Sequence, residues 1–179
     1  NGKTTTTLLL GHVLKSAGYD VLIAGNVGVG FALSLAERDY DYLVLELSSF
    51  QLDGIKQFRS DVAILLNITP DHLDRYDYKL ENYAASKFRI TKNQTAQDVL
   101  IYNVDDALLN TLKTKAKRLP ISLQTQQKEG GFYNNNEITI NLNNNTMTMQ
   151  EIALQGKHNI FNSMAAAMAA RVFEVKDTV

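Results

Sequence analysis

The sequence opens with Asn1-Gly2-Lys3-Thr4-Thr5 and continues into the apolar segment Leu8-Leu9-Leu10. A glycine followed by lysine and a hydroxyl residue at a helix start is typical of the second half of a phosphate-binding loop. In such a loop, N–H groups at the helix start bind phosphate oxygens, the lysine contacts the terminal phosphates and the hydroxyl holds Mg²⁺. The earlier glycine of the motif is missing, so we expect the chain to begin inside it. Asn-Gly is also a common turn, and Lys-Thr-Thr an ordinary helix start.

Length and composition are those of a single globular domain. The 179 residues, of which 45% are hydrophobic and 21% charged, can build a sizeable core. The net charge of −1 and the lack of a long Lys/Arg run argue against nucleic acid binding. Without cysteine there are neither disulfides nor thiolate metal sites. No apolar run reaches the roughly 18 to 20 residues that span a bilayer, and no signal peptide is visible, so we expect a cytoplasmic protein that does not bind membranes.

Short apolar runs alternate along the chain with segments whose apolar residues recur at helical spacing. Uninterrupted apolar runs are typical of strands buried on both faces of a parallel sheet. The predicted strands are 20–24, 42–45, 62–66, 98–103 and 121–123, and the predicted helices are 3–17, 29–38, 50–58, 79–91, 105–116 and 156–173. Asp105 is the expected N-cap of the fifth helix. This alternation predicts an α/β fold with a mostly parallel wound sheet and flanking helices.

The residue composition and pattern of the sequence change after Gln124. Two segments with alternating β-branched residues, 138–140 and 146–149, are separated by Gly130-Gly131 and by asparagine runs at 134–136 and 143–145. Such turn residues between short alternating segments predict hairpins, and therefore a small antiparallel β appendage. A disordered low-complexity insert is the alternative.

Polar residues follow several predicted strands, at the edge of the sheet where α/β folds bind ligands. Glu46 comes after four apolar residues, where a carboxylate is costly unless it is paired or bound to a metal. Asp71 and His72 follow the next strand, although either of them, or Thr69, could merely cap a helix. Lys87 lies within a predicted helix, where an isolated lysine usually belongs to a solvated face.

Six segments, in this order, resemble the central ATPase domain of the Mur ligases. They are 1–5, 25–28, 46–52 (ELSSFQL), 67–76 (NITPDHLDRY), 85–87 (ASK) and 156–159 (GKHN). The resemblance extends over essentially the whole chain. The runs 46–52 and 71–76 most resemble those of family members that add D-glutamate. Other members add L-alanine, diaminopimelate or lysine, or the D-alanyl dipeptide. Folylpolyglutamate synthetases share the Gly-Lys-Thr loop and a Thr-x-x-His element but lack the Ser-Ser-Phe-Gln run.

This resemblance implies an ATP-dependent amide ligase of peptidoglycan synthesis. ATP would phosphorylate the carboxylate of UDP-N-acetylmuramoyl-L-alanine, and the amine of D-glutamate would attack the acyl phosphate. It also implies that residues 1–179 are one central ATP-binding domain, working with an N-terminal UDP-binding domain and a C-terminal domain outside this sequence. We expect no ligase activity from these residues alone. The alternatives are another Mur ligase, a ligase similar to folylpolyglutamate synthetase, or a fragment that only binds nucleotide. A GTPase-like switch is disfavoured because no Asn-Lys-x-Asp run is present.

The resemblance also implies roles for individual residues around two Mg²⁺ ions. Lys3 would contact the β- and γ-phosphates, and Thr4 and Glu46 would hold the first ion. The second ion would lie near His72 and Lys87, which family members carry as a carbamate. A carbamate offers anionic oxygens of the kind that Mg²⁺ prefers, whereas an ammonium repels it. Histidine is a softer ligand than Mg²⁺ usually selects.

Other residues match positions that contact the substrates in the family. The resemblance gives Lys3, His72 and Lys87 catalytic roles, and it assigns the UDP-sugar substrate to Asn26, Ser48 and His72. It assigns ATP to residues of the phosphate loop and of the last helix: Asn1, Gly2, Lys3, Thr4, Thr5, Asn159 and Asn162. An amide can bind the donor and acceptor edge of adenine. Asn159 could equally cap the last helix.

Overall fold

The computed structural model describes residues 1–28, 31–149 and 156–174, and these ranges contain strands alternating with helices as predicted. The helices are α1 (Lys3–Ser16), α2 (Phe31–Glu37), α3 (Ser49–Asp53), α4 (Leu80–Phe88), α5 (Ala107–Asn110) and α6 (Lys157–Val172). The strands are β1 (Val21–Gly25), β2 (Tyr42–Glu46), β3 (Val62–Leu65), β4 (Val99–Asn103), β5 (Lys117–Ser122), β6 (Gly130–Asn134), β7 (Glu137–Leu142) and β8 (Asn145–Met149). Within these ranges, no helix combines the length and the apolar character needed to cross a membrane.

The strands form two sheets. A six-stranded sheet has the order β3-β4-β5-β6-β7-β8, and β1 pairs with β2 in a separate two-stranded sheet. All pairs from β3 to β6 are parallel, and so is the β1–β2 pair. The prediction of a mostly parallel α/β fold is therefore confirmed.

The last three strands contain the predicted antiparallel segment. β6, β7 and β8 pair in antiparallel fashion, and they continue the main sheet beyond β5 instead of standing apart from it. Both hairpin turns are asparagine pairs with positive φ, at residues 135–136 and 143–144, as a two-residue hairpin turn requires. Ile138 and Ile140 are almost fully buried. The alternative of a disordered insert is therefore wrong.

Helices cover both faces of the main sheet. Successive residues of β4 show this, since Ile101 belongs to a core cluster with α1 and α6 while Leu100 and Tyr102 belong to a second cluster with α4. The alanine- and methionine-rich α6 packs along α1. Small side chains on α6 let the two helices approach closely, which fixes α1 and the loop before it against the sheet.

The helix predicted for residues 105–116 is much shorter, and its N-cap is Asp106, not Asp105. Asp106 Oδ1 accepts hydrogen bonds from the N–H groups of Leu108 and Leu109 at 3.0 and 3.3 Å. Asp105 is engaged elsewhere, since its carboxylate accepts from Ser122 Oγ at 2.6 Å and from the Leu123 N–H at 2.8 Å. The strand that follows is longer than predicted, because β5 begins at Lys117 instead of residue 121.

Two other predicted helices differ in extent. The helix predicted for 50–58 is the five-residue α3, which ends at Asp53. The helix predicted for 29–38 is α2, and residues 29 and 30 lie outside the described residues.

Candidate active site

A cavity of about 850 Å³ lies between the two sheets. Its walls include β2, β3 and the face of α1 that carries Thr6, Leu10 and Leu14. Polar residues that the sequence singled out also line it: Asn1, Lys3, Asn26, Glu46, Ser48, Asp71, His72 and Lys87. The structure thus brings most of the predicted site residues to one cavity, whereas Gly2, Thr4, Thr5, Asn159 and Asn162 are not part of its lining.

The loop at the cavity leads directly into α1. Gly2 precedes the helix with φ 83°, a left-handed conformation that favours glycine. The first turn of α1 carries no acidic residue, and Gly2 provides no side chain to cap the helix. The N–H groups at this helix start can therefore bind an anion, with the ammonium group of Lys3 at the same end.

Glu46 ends β2 as a buried carboxylate, with 7% of its surface exposed. Thr4 Oγ1 donates a hydrogen bond to Glu46 Oε2 at 2.7 Å, so the first turn of α1 is joined to the end of β2. The backbone of the same strand end is held as well, because the Asn26 N–H donates to the Glu46 carbonyl at 2.9 Å. This bond places the backbone of Asn26 beside the end of β2.

The oxygen atoms of Thr4 and Glu46 suit Mg²⁺. In the described parts of the chain, no group of three or more His, Asp or Glu residues could hold a metal ion by itself. Mg²⁺ usually takes one or two protein oxygens and completes its shell with phosphate oxygens and water. A hydroxyl and a buried carboxylate in contact at the start of a phosphate-binding helix fit this kind of site.

Lys87 is half-buried and lines the cavity, so the alternative of a lysine on a solvated face is not observed. Its Nζ donates to the carbonyl of Asn67 at 3.2 Å and lies 4.5 Å from the ring centroid of Tyr83. Burial, and then repulsion by the Lys3 cation, lowers the pKa of Lys87 to about 8, against the opposing attraction of Asp71 and Asp106. About a tenth of this amine is therefore uncharged at pH 7, far more than for an ordinary lysine.

His72 adopts a left-handed backbone conformation with φ 49°, directly before a 3-10 turn formed by residues 73–76. Its side chain makes no capping hydrogen bond, so the capping alternative for His72 is not observed. The centroid of its ring lies 5.4 Å from the centroid of the Phe50 ring. Its Nε2 lies 3.6 Å from Asp71 Oδ1. Because the imidazole is largely exposed on the cavity wall, a ligand can reach it.

Ser48 is the N-cap of α3. Its Oγ accepts from the Gln51 N–H at 3.3 Å, and Gln51 Oε1 accepts from the Ser48 N–H at 2.8 Å. The sequence pattern Ser-x-x-Gln is the signature of this capping box, so the capping role of Ser48 could be predicted from the sequence. Ser48 Oγ also donates to Gln51 Oε1 at 3.0 Å, and a ligand at this hydroxyl would compete with that bond.

Asn159 and Asn162 lie at the start of α6. The N-cap there is Gly156, so the expectation that Asn159 caps this helix is wrong. Asn162 is buried, and a Cβ atom added to Gly2 would lie only 2.3 Å from Asn162 Oδ1. The last helix therefore contacts the phosphate loop through Asn162, while adenine binding by these two amides stays a prediction.

Sequence reasoning did not single out two residues that organise the site. Asn67 pairs through its side chain with the backbone of Asn1, and Asp106 Oδ2 accepts from the Ile68 N–H at 2.7 Å. Both contacts join residues that are far apart in the sequence, and no local pattern predicts them.

Comparison with known proteins supports the sequence resemblance. Residues 1–170 match the family described as the Mur ligase middle domain. A relative from Christiangramia forsetii named UDP-N-acetylmuramoylalanine--D-glutamate ligase is 49% identical over 182 residues, covering 98% of this chain and 41% of the relative. The chain thus spans about two fifths of the length of the curated relatives it matches.

Solved structures share the fold. A UDP-N-acetylmuramoyl-L-alanyl-D-glutamate--2,6-diaminopimelate ligase superimposes with a TM-score of 0.72 at 24% identity, covering 98% of this chain and 42% of that chain. A MurF ligase from Thermotoga maritima in complex with ADP gives a TM-score of 0.69 at 21% identity, with coverages of 98% and 44%.

Proposed function

Since the chain belongs to the Mur ligase family, we propose that it is the central nucleotide-binding domain of an ATP-dependent ligase. The reaction is the addition of D-glutamate to UDP-N-acetylmuramoyl-L-alanine in peptidoglycan biosynthesis. The observation that carries the proposal is the Thr4–Glu46 hydrogen bond of 2.7 Å at the start of α1. It joins a hydroxyl and a buried carboxylate beside Lys3, as a Mg²⁺–nucleotide site needs.

The choice of D-glutamate rests on relatives and not on the cavity. Relatives that carry the name UDP-N-acetylmuramoylalanine--D-glutamate ligase are 49% and 46% identical to this chain. The structural neighbour that is named as a 2,6-diaminopimelate ligase is 24% identical to this chain. Another Mur ligase specificity is the alternative, and the amino acid requirement of the full-length protein distinguishes the two.

The residues of the cavity suit phosphoryl transfer to a carboxylate. A carboxylate that attacks a phosphate is repelled by it, so catalysis depends on cations and on positioning. The N–H groups of the first turn of α1 and the Lys3 ammonium bind the phosphates, and Thr4 and Glu46 hold one Mg²⁺. When bound, Mg²⁺ neutralises negative charge that develops on the phosphate oxygens. The MurF ligase from Thermotoga maritima with bound ADP supports nucleotide use in this fold.

Asn26, Ser48 and His72 line the same cavity. In this proposal they bind the UDP-sugar substrate. The amide of Asn26 and the hydroxyl of Ser48 can donate hydrogen bonds to its alanyl carboxylate. His72 presents an exposed imidazole to the cavity and, with Lys87, holds the second Mg²⁺. Asn159 and Asn162 contact adenine. Of these two, the Asn162 contact is supported by its position beside Gly2.

Lys87 is carbamylated in this proposal. Only the neutral amine reacts with CO₂, and the burial of Lys87 and the repulsion by Lys3, which lower its pKa, favour that form. The carbamate would turn a cation that repels Mg²⁺ into an anionic oxygen ligand. A carbon-13 NMR spectrum of the full-length protein in labelled bicarbonate, with and without Mg²⁺ and ADP, should show a carbamate signal that is absent from Lys87→Arg.

The gap between β2 and β3 supports the proposed domain organisation. Each strand has one parallel partner, β1 for β2 and β4 for β3, and the two do not pair with each other in the described chain. Apolar side chains from both line the cavity. Thr6 Oγ1, on the wall formed by α1, is buried without a hydrogen-bond partner. We infer that a parallel strand leading into Asn1 fills the gap in the longer protein. Hydrogen exchange should then be slow at the amides of both β2 and β3, and fast exchange along both strands would contradict this inference.

The function is tested by phosphate release from the full-length protein. Release should require ATP, UDP-N-acetylmuramoyl-L-alanine and D-glutamate together, and GTP should not replace ATP. Lys3→Met should abolish release, while the matched control Lys15→Met, in the last turn of the same helix, should leave it unchanged. Full activity of Lys3→Met, or release with a different amino acid in place of D-glutamate, would overturn the proposal. Residues 1–179 alone should give no release.

A further inference from the structure

Asn67 pairs with the phosphate loop through both atoms of its side-chain amide. Its Nδ2 donates to the carbonyl of Asn1 at 3.0 Å, and its Oδ1 accepts from the terminal ammonium group of Asn1 at 3.0 Å. Two bonds to one residue fix orientation as well as distance, as in a hydrogen-bonded pair between neighbouring strands. The bond to the Asn1 carbonyl does not depend on that terminal charge.

The backbone of Asn67 contacts the other side of the cavity. Its carbonyl accepts from Lys87 Nζ at 3.2 Å, so one residue touches both the loop before α1 and the functional lysine of α4. The backbone next to Asn67 is fixed by Asp106, because Asp106 Oδ2 accepts a hydrogen bond from the N–H of the next residue, Ile68, at 2.7 Å. Asp106 is itself fixed as the N-cap of α5.

We propose that Asn67 is a positioning residue that sets the phosphate loop at a fixed distance and orientation from Lys87. This inference rests on the proposed function of the cavity. β2 and β3 do not pair with each other in the described chain, so strand pairing does not link the two sheets here. The Asn67 amide supplies two hydrogen bonds across this region. Because misplacement by about 1 Å can cost about a hundredfold in rate, such a connection has a direct effect on the reaction.

The test uses Asn67→Leu in the full-length enzyme. Leucine has a similar shape but cannot make either hydrogen bond to Asn1. We expect the dissociation constant for ADP, measured by calorimetry, to rise about tenfold and kcat to fall about tenfold to a hundredfold. The KM for D-glutamate should stay within about twofold, because Asn67 affects the phosphate loop and Lys87.

Asn93→Leu is the matched control. Asn93 Nδ2 also donates two hydrogen bonds to backbone carbonyls, those of Lys56 at 3.0 Å and Phe58 at 2.8 Å, and Asn93 does not line the cavity. Its replacement should lower the melting temperature without changing ADP binding. If Asn67→Leu lowers the melting temperature as Asn93→Leu does but leaves ADP binding and kcat within twofold of wild type, the role of Asn67 is structural only and the proposal is overturned.

Asn67→Asp covers the case in which the leucine variant does not fold. Aspartate keeps an acceptor for the Asn1 nitrogen but loses the donor to the Asn1 carbonyl. We expect weaker ADP binding at an unchanged melting temperature, and wild-type ADP binding in this variant would overturn the proposal. Since ADP binding is measured without the other substrates, the result stands even if the ligase reaction itself proves to be different.

Discussion

Ser86 Oγ donates a hydrogen bond to the carbonyl of Ser49 at 3.0 Å, and both residues are buried. The bond joins α4, which carries Lys87, to α3, which is capped by Ser48. Tyr76 extends the connection, since its hydroxyl lies 3.3 Å from Ser86 Oγ and donates to Asp53 at 3.0 Å. Two walls of the cavity are therefore held together by buried polar contacts.

Ser86→Ala should destabilise the protein. The substitution leaves the buried Ser49 carbonyl without this donor, which costs about 1–3 kcal/mol. Urea unfolding measures the loss, and Ser16→Ala, at an exposed position at the end of α1, should change stability by less than about 0.5 kcal/mol. Equal effects of the two substitutions would contradict the assignment.

The ion pair between the exposed Arg59 and the buried Asp98 predicts an acid-dependent loss of stability. Two hydrogen bonds of 2.8 Å from the Arg59 guanidinium, opposed by burial and aided by Thr95, lower the pKa of Asp98 to about 2. The unfolded value is about 3.9. Between these values the unfolded chain binds more protons, so this contribution is fully present above about pH 4 and is lost as the pH falls to about 2.

Asp98→Asn removes this titration. The difference in melting temperature between wild type and Asp98→Asn should be large at pH 6 and should shrink as the pH falls from 4 towards 2. A difference that stays constant over this range would show that the Asp98 carboxylate is not stabilised by Arg59 as described.

Gly25→Ala should be more damaging than Gly18→Ala. Both glycines have positive φ, 103° and 92°, so alanine is strained by about 1–2 kcal/mol at either position. A Cβ at Gly25 would also lie 2.1 Å from the Glu46 carbonyl oxygen, whereas nothing lies within 4 Å at Gly18. The backbone clash should add about 1–3 kcal/mol at Gly25, as urea unfolding of the two variants would measure. Equal losses would contradict this prediction.

Lys87→Ala in the full-length enzyme should abolish phosphate release, and short-chain carboxylates should partly restore it. The carboxylate would replace the anionic oxygens of the proposed carbamate, which no neutral or cationic additive can do. Lys92→Ala, at an exposed lysine just after α4, is the control and should remain active without additives. Full activity of Lys87→Ala would contradict the proposed catalytic and metal-binding role of this lysine.

Local patterns predicted the elements and much of the site. Glu46 was recognisable because four apolar residues precede it, and the structure shows the carboxylate buried. Asp105 was the expected N-cap of α5, but Asp106 caps the helix, and contacts from distant segments, Leu123 to Asp105 and Ile68 to Asp106, distinguish the two. The Asn1–Asn67 pairing joins residues 66 positions apart, so no local pattern could predict it.

The gap between β2 and β3 also matters for how the protein folds during its synthesis. A strand that leads into Asn1 would leave the ribosome before both of its neighbours, and its second edge would stay unpaired until Leu65 had been made. Contacts between segments so distant in sequence form slowly, and an apolar strand edge that waits for its partner is prone to aggregation. We therefore expect the first strand of the central sheet to be the segment that most needs protection in the nascent chain.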